Sequence, residues 1–170
     1  MSGTDAYVPE ARSRNMASIR GRDTRPELFI RRGLHARGFR FRIAPASIPG
    51  HPDLYLARYQ AAIFVHGCFW HRHSGCRYAA VPATRTAFWT AKFAANVSRD
   101  AQVALALQER GIRRLVIWEC AIRIARGKNG RPEVMFDMIT DFLRGDITCA
   151  EIDADALMAG RCRTASAVGR

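Results

Sequence analysis

Lysine is nearly absent from this chain: of 27 basic residues only Lys92 and Lys128 are lysines, and acidic residues are also few, at 15. No apolar run approaches the ~18 residues of a helical membrane span. The opening Met1–Glu10 is polar and shows no charged segment leading into an apolar one, which excludes a secretory signal of that form. The expected compartment is a bacterial-type cytoplasm, in association with the nucleoid, where thiols stay reduced. The five cysteines are odd in number and argue against a closed disulfide framework. No internal repeat is visible. What is there is 170 residues, 48% of them hydrophobic and 9% aromatic, enough for one compact domain with a real core and too apolar for a disordered basic tail.

The net charge is +12, and it is unevenly spread. Residues 1–58 carry 11 basic and 5 acidic side chains, residues 59–126 carry 10 and 3, and residues 127–170 carry 6 and 7. Guanidiniums fork onto phosphate oxygens, so a nucleic-acid backbone is the natural partner of the first three quarters. An arginine-rich but ordinary solvated surface is the alternative. The near-neutral end past residue 126 reads as scaffold rather than site.

Residues 1–22 form a basic arm in which Arg12, Arg14, Arg20 and Arg22 could lie on an anion. Thr24-Arg25-Pro26-Glu27 then has the form of a capping box, and the helix it opens ends at Gly38. Phe39, Phe41 and Ile43 alternate with Arg40 and Arg42, as in a half-buried strand. Asp53–Leu56 and Ala61–Val65 read as two strands around a turn at Arg58–Gln60. A long helix over Thr84–Arg110 closed by Gly111, a strand at Leu115–Trp118 and a final helix over 131–144 follow. This order predicts an α/β sheet flanked by helices. The domain is expected over 23–160, with 161–170 a disordered tail.

The segment His66-Gly67-Cys68-Phe69-Trp70-His71-Arg72-His73-Ser74-Gly75-Cys76 places two cysteines and three histidines within eleven positions. Zinc takes four such donors in a tetrahedron. Cys68, His73 and Cys76 supply three, and Cys120, at the end of the Leu115–Trp118 strand, is the best candidate for the fourth; a buried core thiol is the alternative there. Cys149 and Cys162 have no evident task.

In so basic a region each carboxylate is informative. Asp53, after a loop and at the start of a strand, can hold a hard cation such as Mg²⁺ over a phosphate. Nucleases of the PD-(D/E)-x-K type share this hairpin layout, but their second strand carries an acid and a lysine. Here it reads Phe64-Val65-His66. A second metal contact must come from a main-chain carbonyl or from Glu27, and histidine must replace lysine in proton transfer. Asp53 and Glu27 could equally serve as a loop cap and a helix cap.

Asn15-Met16, Arg22-Asp23-Thr24, Pro49-Gly50 with Pro52-Asp53, His66–His71, Val81–Thr86 with Phe88-Trp89, Asn96-Val97 with Arg99-Asp100, and Trp118-Glu119-Cys120 run in order along the chain. Together they resemble the very-short-patch repair (Vsr) endonucleases over roughly two thirds of its length. The resemblance implies a single-domain restriction-endonuclease-like α/β fold, a mixed central sheet flanked by helices with a structural zinc. It implies an enzyme that uses Mg²⁺ to nick the thymine strand of a T:G mispair in double-stranded DNA, the product of 5-methylcytosine deamination. By that resemblance Asp53 and the Val65 carbonyl hold the Mg²⁺, Glu27 reaches it through water, His71 is the general base and His66 assists. Phe69, Trp70 and Trp89 form an aromatic wedge beside the mispair, and Arg85 joins the arm arginines on DNA. The chain departs from the family pattern at Val65, where a threonine is common, and in the Ser74-Gly75 spacing, which is one residue longer. A monomer is expected. Other readings are a nickase with a different trigger and a zinc-containing DNA-binding protein that does not cut; repair partners and preferred sequence context are not legible.

Overall fold

The structure, a computed structural model, describes residues 23–164. The arm arginines Arg12, Arg14, Arg20 and Arg22 lie outside the described residues. Helix α1 (Arg25–Ala36) begins at the expected capping box: Thr24 Oγ1 accepts from the Glu27 amide at 3.4 Å and donates to Glu27 Oε1 at 2.8 Å. Two strands follow, β1 (Leu54–Leu56) and β2 (Ala61–His66), joined by a 3-10 turn at Ala57–Tyr59 that Gln60 ends in the left-handed region. A long loop leads to α2 (Thr86–Glu109) and then β3 (Arg113–Trp118). Helices α3 (Glu119–Ala125) and α4 (Pro132–Arg144) precede β4 (Cys149–Ile152), α5 (Ala154–Ala159) and β5 (Arg163–Thr164).

The five strands form one mixed sheet in sequence order, antiparallel at both edges and parallel between β2, β3 and β4. Their side chains alternate between two cores, as the two-residue period of a strand requires. Leu54, Leu56, Ile63, Leu115, Ile117 and Ile152 pack with residues of α1, α3, α4 and α5. On the opposite face Ala62, Phe64, Val116 and Trp118 meet Leu107 of α2. This is the expected α/β sheet flanked by helices. Among the described residues no helix is long and apolar enough to cross a membrane.

Three local expectations are corrected. Phe39–Ile43 is not a strand: only Arg42 bridges to Tyr55, with both 2.9 Å bonds made. Ile43 is solvent-exposed and Ala44 turns the backbone at φ +42°, so the alternation has a single buried anchor in Phe39. Residues 132–144 are not the final helix, because the short elements β4, α5 and β5 follow. Residues 161–164, expected to belong to a loose tail, instead turn at Gly160 and pair β5 with β4, and Arg163 reaches Asp153 at 2.5 Å.

Candidate active site and sulfur cluster

The parallel strands β2 and β3 end side by side, His66 opposite Trp118, and two sites sit at that edge. Open α/β sheets place ligands beyond the carboxyl ends of their strands. One site is a cavity of about 280 Å³ whose lining includes Glu27, Asp53, Val65, His66, His71 and Asp100. The other is the cluster Cys68, His73, Cys76 and Cys120, whose donor atoms all lie within 4.8 Å of one another.

Asp53 stands just before β1, and its Oδ2 accepts the Val65 amide of β2 at 2.7 Å, a bond across the hairpin that fixes the carboxylate against that strand. Burial raises its pKa from 3.8 to about 6, with Glu27 adding repulsion; the Val65 bond and Arg31 oppose the shift. Glu27 serves two duties. It is a buried capping residue that accepts the Asp23 amide at 2.9 Å, and it also lines the cavity. Arg31, one turn on, pairs with Glu27 at 2.9 Å and with Asp23. Gly50 lets the preceding loop approach: at φ +75°, a Cβ there would stand 2.5 Å from Val103.

His66 and His71 stack face to face, with centroids 3.7 Å apart and 9° between planes. His66 is buried, and that burial lowers its pKa to about 3, with His71 adding to the effect, so its ring is neutral at physiological pH. His71 Nδ1 meets Asp100 Oδ2 at 2.6 Å. With Nδ1 engaged, Nε2 is the nitrogen free to accept a proton. The donor atoms of His66, His71 and Asp100 also lie within 4.8 Å of one another. A metal bonds in the plane of an imidazole, however, and two parallel rings stacked 3.7 Å apart cannot both aim in-plane lone pairs at one ion. This trio is therefore suited to proton handling.

Asp100 was missing from the residues that sequence reasoning assigned to the site. Its signal lay in Asn96 and Asp100, four apart on α2 and so on one helical face. Asn96 Nδ2 donates to the Trp70 carbonyl at 3.0 Å while Asp100 holds His71, so one face of α2 grips the loop twice. Arg99 and Arg114 also line the cavity and were not anticipated there.

In the sulfur cluster, Cys120 opens α3 beside the end of β3, as its place in the sequence suggested. Its pKa is pulled down to about 6, chiefly by the thiol hydrogen bond from Cys68, and the same bond pushes Cys68 upward. His73 Nδ1 lies 3.5 Å from Cys120 Sγ. Three sulfurs and an imidazole are a soft donor set that fits zinc, and between His73 and Cys76 the chain turns at Gly75, which takes φ +69° with open space around it.

Phe69, Trp70 and Trp89 do come together, with Phe69 5.0 Å from Trp70 and 5.4 Å from Trp89. Phe69 and Trp70 are half-buried, while Trp89 is buried with Phe93 beneath them. Arg85 is exposed at the start of α2, stacked over Phe88, and does not line the cavity.

A family model described as DNA mismatch endonuclease Vsr matches residues 4–77. The DNA mismatch endonuclease Vsr of Escherichia coli K12 is 40% identical over 153 residues, 90% of this chain and 96% of that protein. The chain belongs to the Vsr family. The type II nicking enzyme V.XorIIP of Xanthomonas oryzae is 41% identical over 70% of this chain and 87% of its own. The type II nicking enzyme V.NmeAIP of Neisseria meningitidis is 36% identical over 71% and 85%. The E. coli Vsr match extends past the family model to both the helix that carries Asp100 and the start of α3, which carries Cys120, so both sites fall within the shared length.

Proposed function

We propose that this Vsr-family protein is a Mg²⁺-dependent endonuclease, acting as a monomer, that nicks the thymine strand of double-stranded DNA at T:G mispairs arising from 5-methylcytosine deamination and so begins very-short-patch repair. The observation that carries this reading is the convergence of Glu27, Asp53, Val65, His66 and His71 on one cavity of a single chain. An antiparallel β1–β2 hairpin bearing Asp53 and Val65, with β3 parallel beside it, supports a restriction-endonuclease-like arrangement.

Asp53 and the Val65 carbonyl offer hard oxygens, as Mg²⁺ requires, and Glu27 stands where it can bind water on the ion. Bound there, Mg²⁺ would supply Lewis-acid stabilisation of charge on a phosphoryl oxygen. Asp100 fixes the His71 tautomer and stabilises the ring once protonated, so that Nε2 can remove a proton from water. Neutral His66, stacked on it, can donate a hydrogen bond at the scissile phosphate. Cys68, His73, Cys76 and Cys120 hold a structural zinc. Phe69, Trp70 and Trp89 supply aromatic surface to a mispair whose unstacking costs less than that of a Watson–Crick pair. Arg85 and the arm residues Arg12, Arg14, Arg20 and Arg22 are assigned to phosphates.

The test is one strand-labelled duplex carrying T:G in several sequence contexts, with its T:A and C:G parents, incubated with protein and Mg²⁺. Nicking of the T:G thymine strand alone is expected. Equal cutting of all three duplexes would overturn mismatch specificity in favour of a general nickase, and binding without cutting would favour a non-catalytic DNA-binding protein.

A further inference from the structure

The C-terminal region carries the residues that complete the sulfur cluster from outside. Asp153 is only 3% exposed although it lies in the near-neutral part of the chain. Its Oδ1 caps α5 by accepting the Ala156 amide at 2.8 Å. Its Oδ2 faces two cations or potential donors, Arg163 at 2.5 Å and His73 Nε2 at 3.7 Å. The cap needs only one oxygen, and serine or asparagine would provide it. Arg163 is 62% exposed at its side chain, so it meets the carboxylate from the solvent side, away from the cluster. Neither role explains why a carboxylate is buried against an imidazole. The next residue, Ala154, packs against the buried cluster that includes Cys68 and Cys120.

We propose that Asp153 supports the four-donor cluster from outside, its carboxylate positioning the His73 ring. His73 turns Nδ1 toward Cys120 and Nε2 toward Asp153, the arrangement in which a metal-bound imidazole gives its remaining N–H to a carboxylate. Trp118 closes the face of that ring, stacked at 4.1 Å and 12°, and is itself held by Glu151 of β4 at 2.8 Å. Glu151 of β4 and Asp153 just after it, both downstream of α4, therefore fix the surroundings of one of the four donors, His73. Asp153 is a positioning residue, and the inference rests on reading the cluster as a zinc site.

The experiment measures zinc affinity by competition with a chromophoric chelator, and thermal melting of the metal-free protein, for the parent and three variants. Asp153→Asn and Asp153→Ser keep the helix cap and remove the carboxylate; both are expected to lose roughly tenfold to a hundredfold in zinc affinity while melting, metal-free, within a few degrees of the parent. Arg163→Ala is expected to leave affinity within about twofold, since the proposal gives Arg163 no part in orienting His73. Affinities of the two Asp153 variants within about twofold of the parent would overturn the proposal, as would an equal loss in Arg163→Ala. A parent that binds no zinc would overturn the zinc reading itself.

Discussion

The sulfur cluster and the carboxylate cavity hang from the same loop after β2, and they are built in opposite ways. The cluster gathers three sulfurs and one imidazole, with Cys68 and Cys120 buried, and its four donors are the number that fills a tetrahedral metal site. The cavity gathers oxygens and two stacked imidazoles around open space large enough for a phosphate and water. A closed soft set and an open hard set differ in what they can do: the first holds the chain, the second has room for a reaction. Only Gly67 separates Cys68 from His66, so the first fixes the position of the second.

The sharpest division between the two comes from Asp53→Ala. Nicking is expected to fall by roughly a thousandfold or more, the several kcal/mol that a metal's charge stabilisation supplies, with zinc content and duplex binding unchanged by elemental analysis and gel shift. Loss of zinc or of folding in that variant would mean that the sites are not separable. Cys120→Ser should do the converse, lowering zinc per chain and costing several kcal/mol of stability, roughly 10 °C in melting temperature. Nicking should fall with it, because the loop that carries His71 loses its anchor. Retained metal stoichiometry would remove Cys120 from the cluster.

Within the cavity, Asp100→Asn should lower kcat by roughly ten- to a hundredfold with little change in KM, since it disturbs proton transfer and leaves binding surface intact. The smallest effect concerns pH. In the metal-free protein Asp53 titrates near 6, so kcat/KM at limiting Mg²⁺ should fall as pH drops through 6 and the carboxylate protonates. Stability runs the other way for this group. Between 3.8 and 6 the folded chain holds a proton that the unfolded chain has lost, so burying the charged form costs up to about 3 kcal/mol at pH 7. Asp53→Asn should therefore melt higher than the parent at pH 7 without metal, and the gain should vanish below about pH 4.

Much of this architecture was legible because its signals are local. The capping box at Thr24–Glu27 formed as its spacing required, the hairpin around Arg58–Gln60 brought Asp53 to Val65, and the density of cysteine and histidine after β2 marked the cluster. The residues that escaped notice act across distance. Asp100 lies 29 positions from His71 and Asp153 lies 80 from His73; Asp100 stood in a motif that gave it no role and Asp153 in none, so only the packing of α2 and of β4–α5 reveals what they hold. The charge profile misled for a physical reason. It records where a polyanion is met, whereas an outer-shell carboxylate such as Asp153 belongs where negative charge collects. The alternation at Phe39–Ile43 failed because a two-residue period shows which side chains could share a face and says nothing of whether a neighbouring strand is there to pair.

The loop from His66 to Cys76 delivers side chains first to one site and then to the other, and this limits how such a chain can vary. Removing a residue between His66 and His73 would throw either the stacked rings or the sulfur donors out of register, and no substitution could restore both at once. At Ser74-Gly75 the backbone is exposed, Gly75 already occupies the left-handed region, and nothing crowds its Cβ position. That turn is the slack in an otherwise taut strip, the one place between His66 and Cys76 where length can drift while both sites keep their geometry.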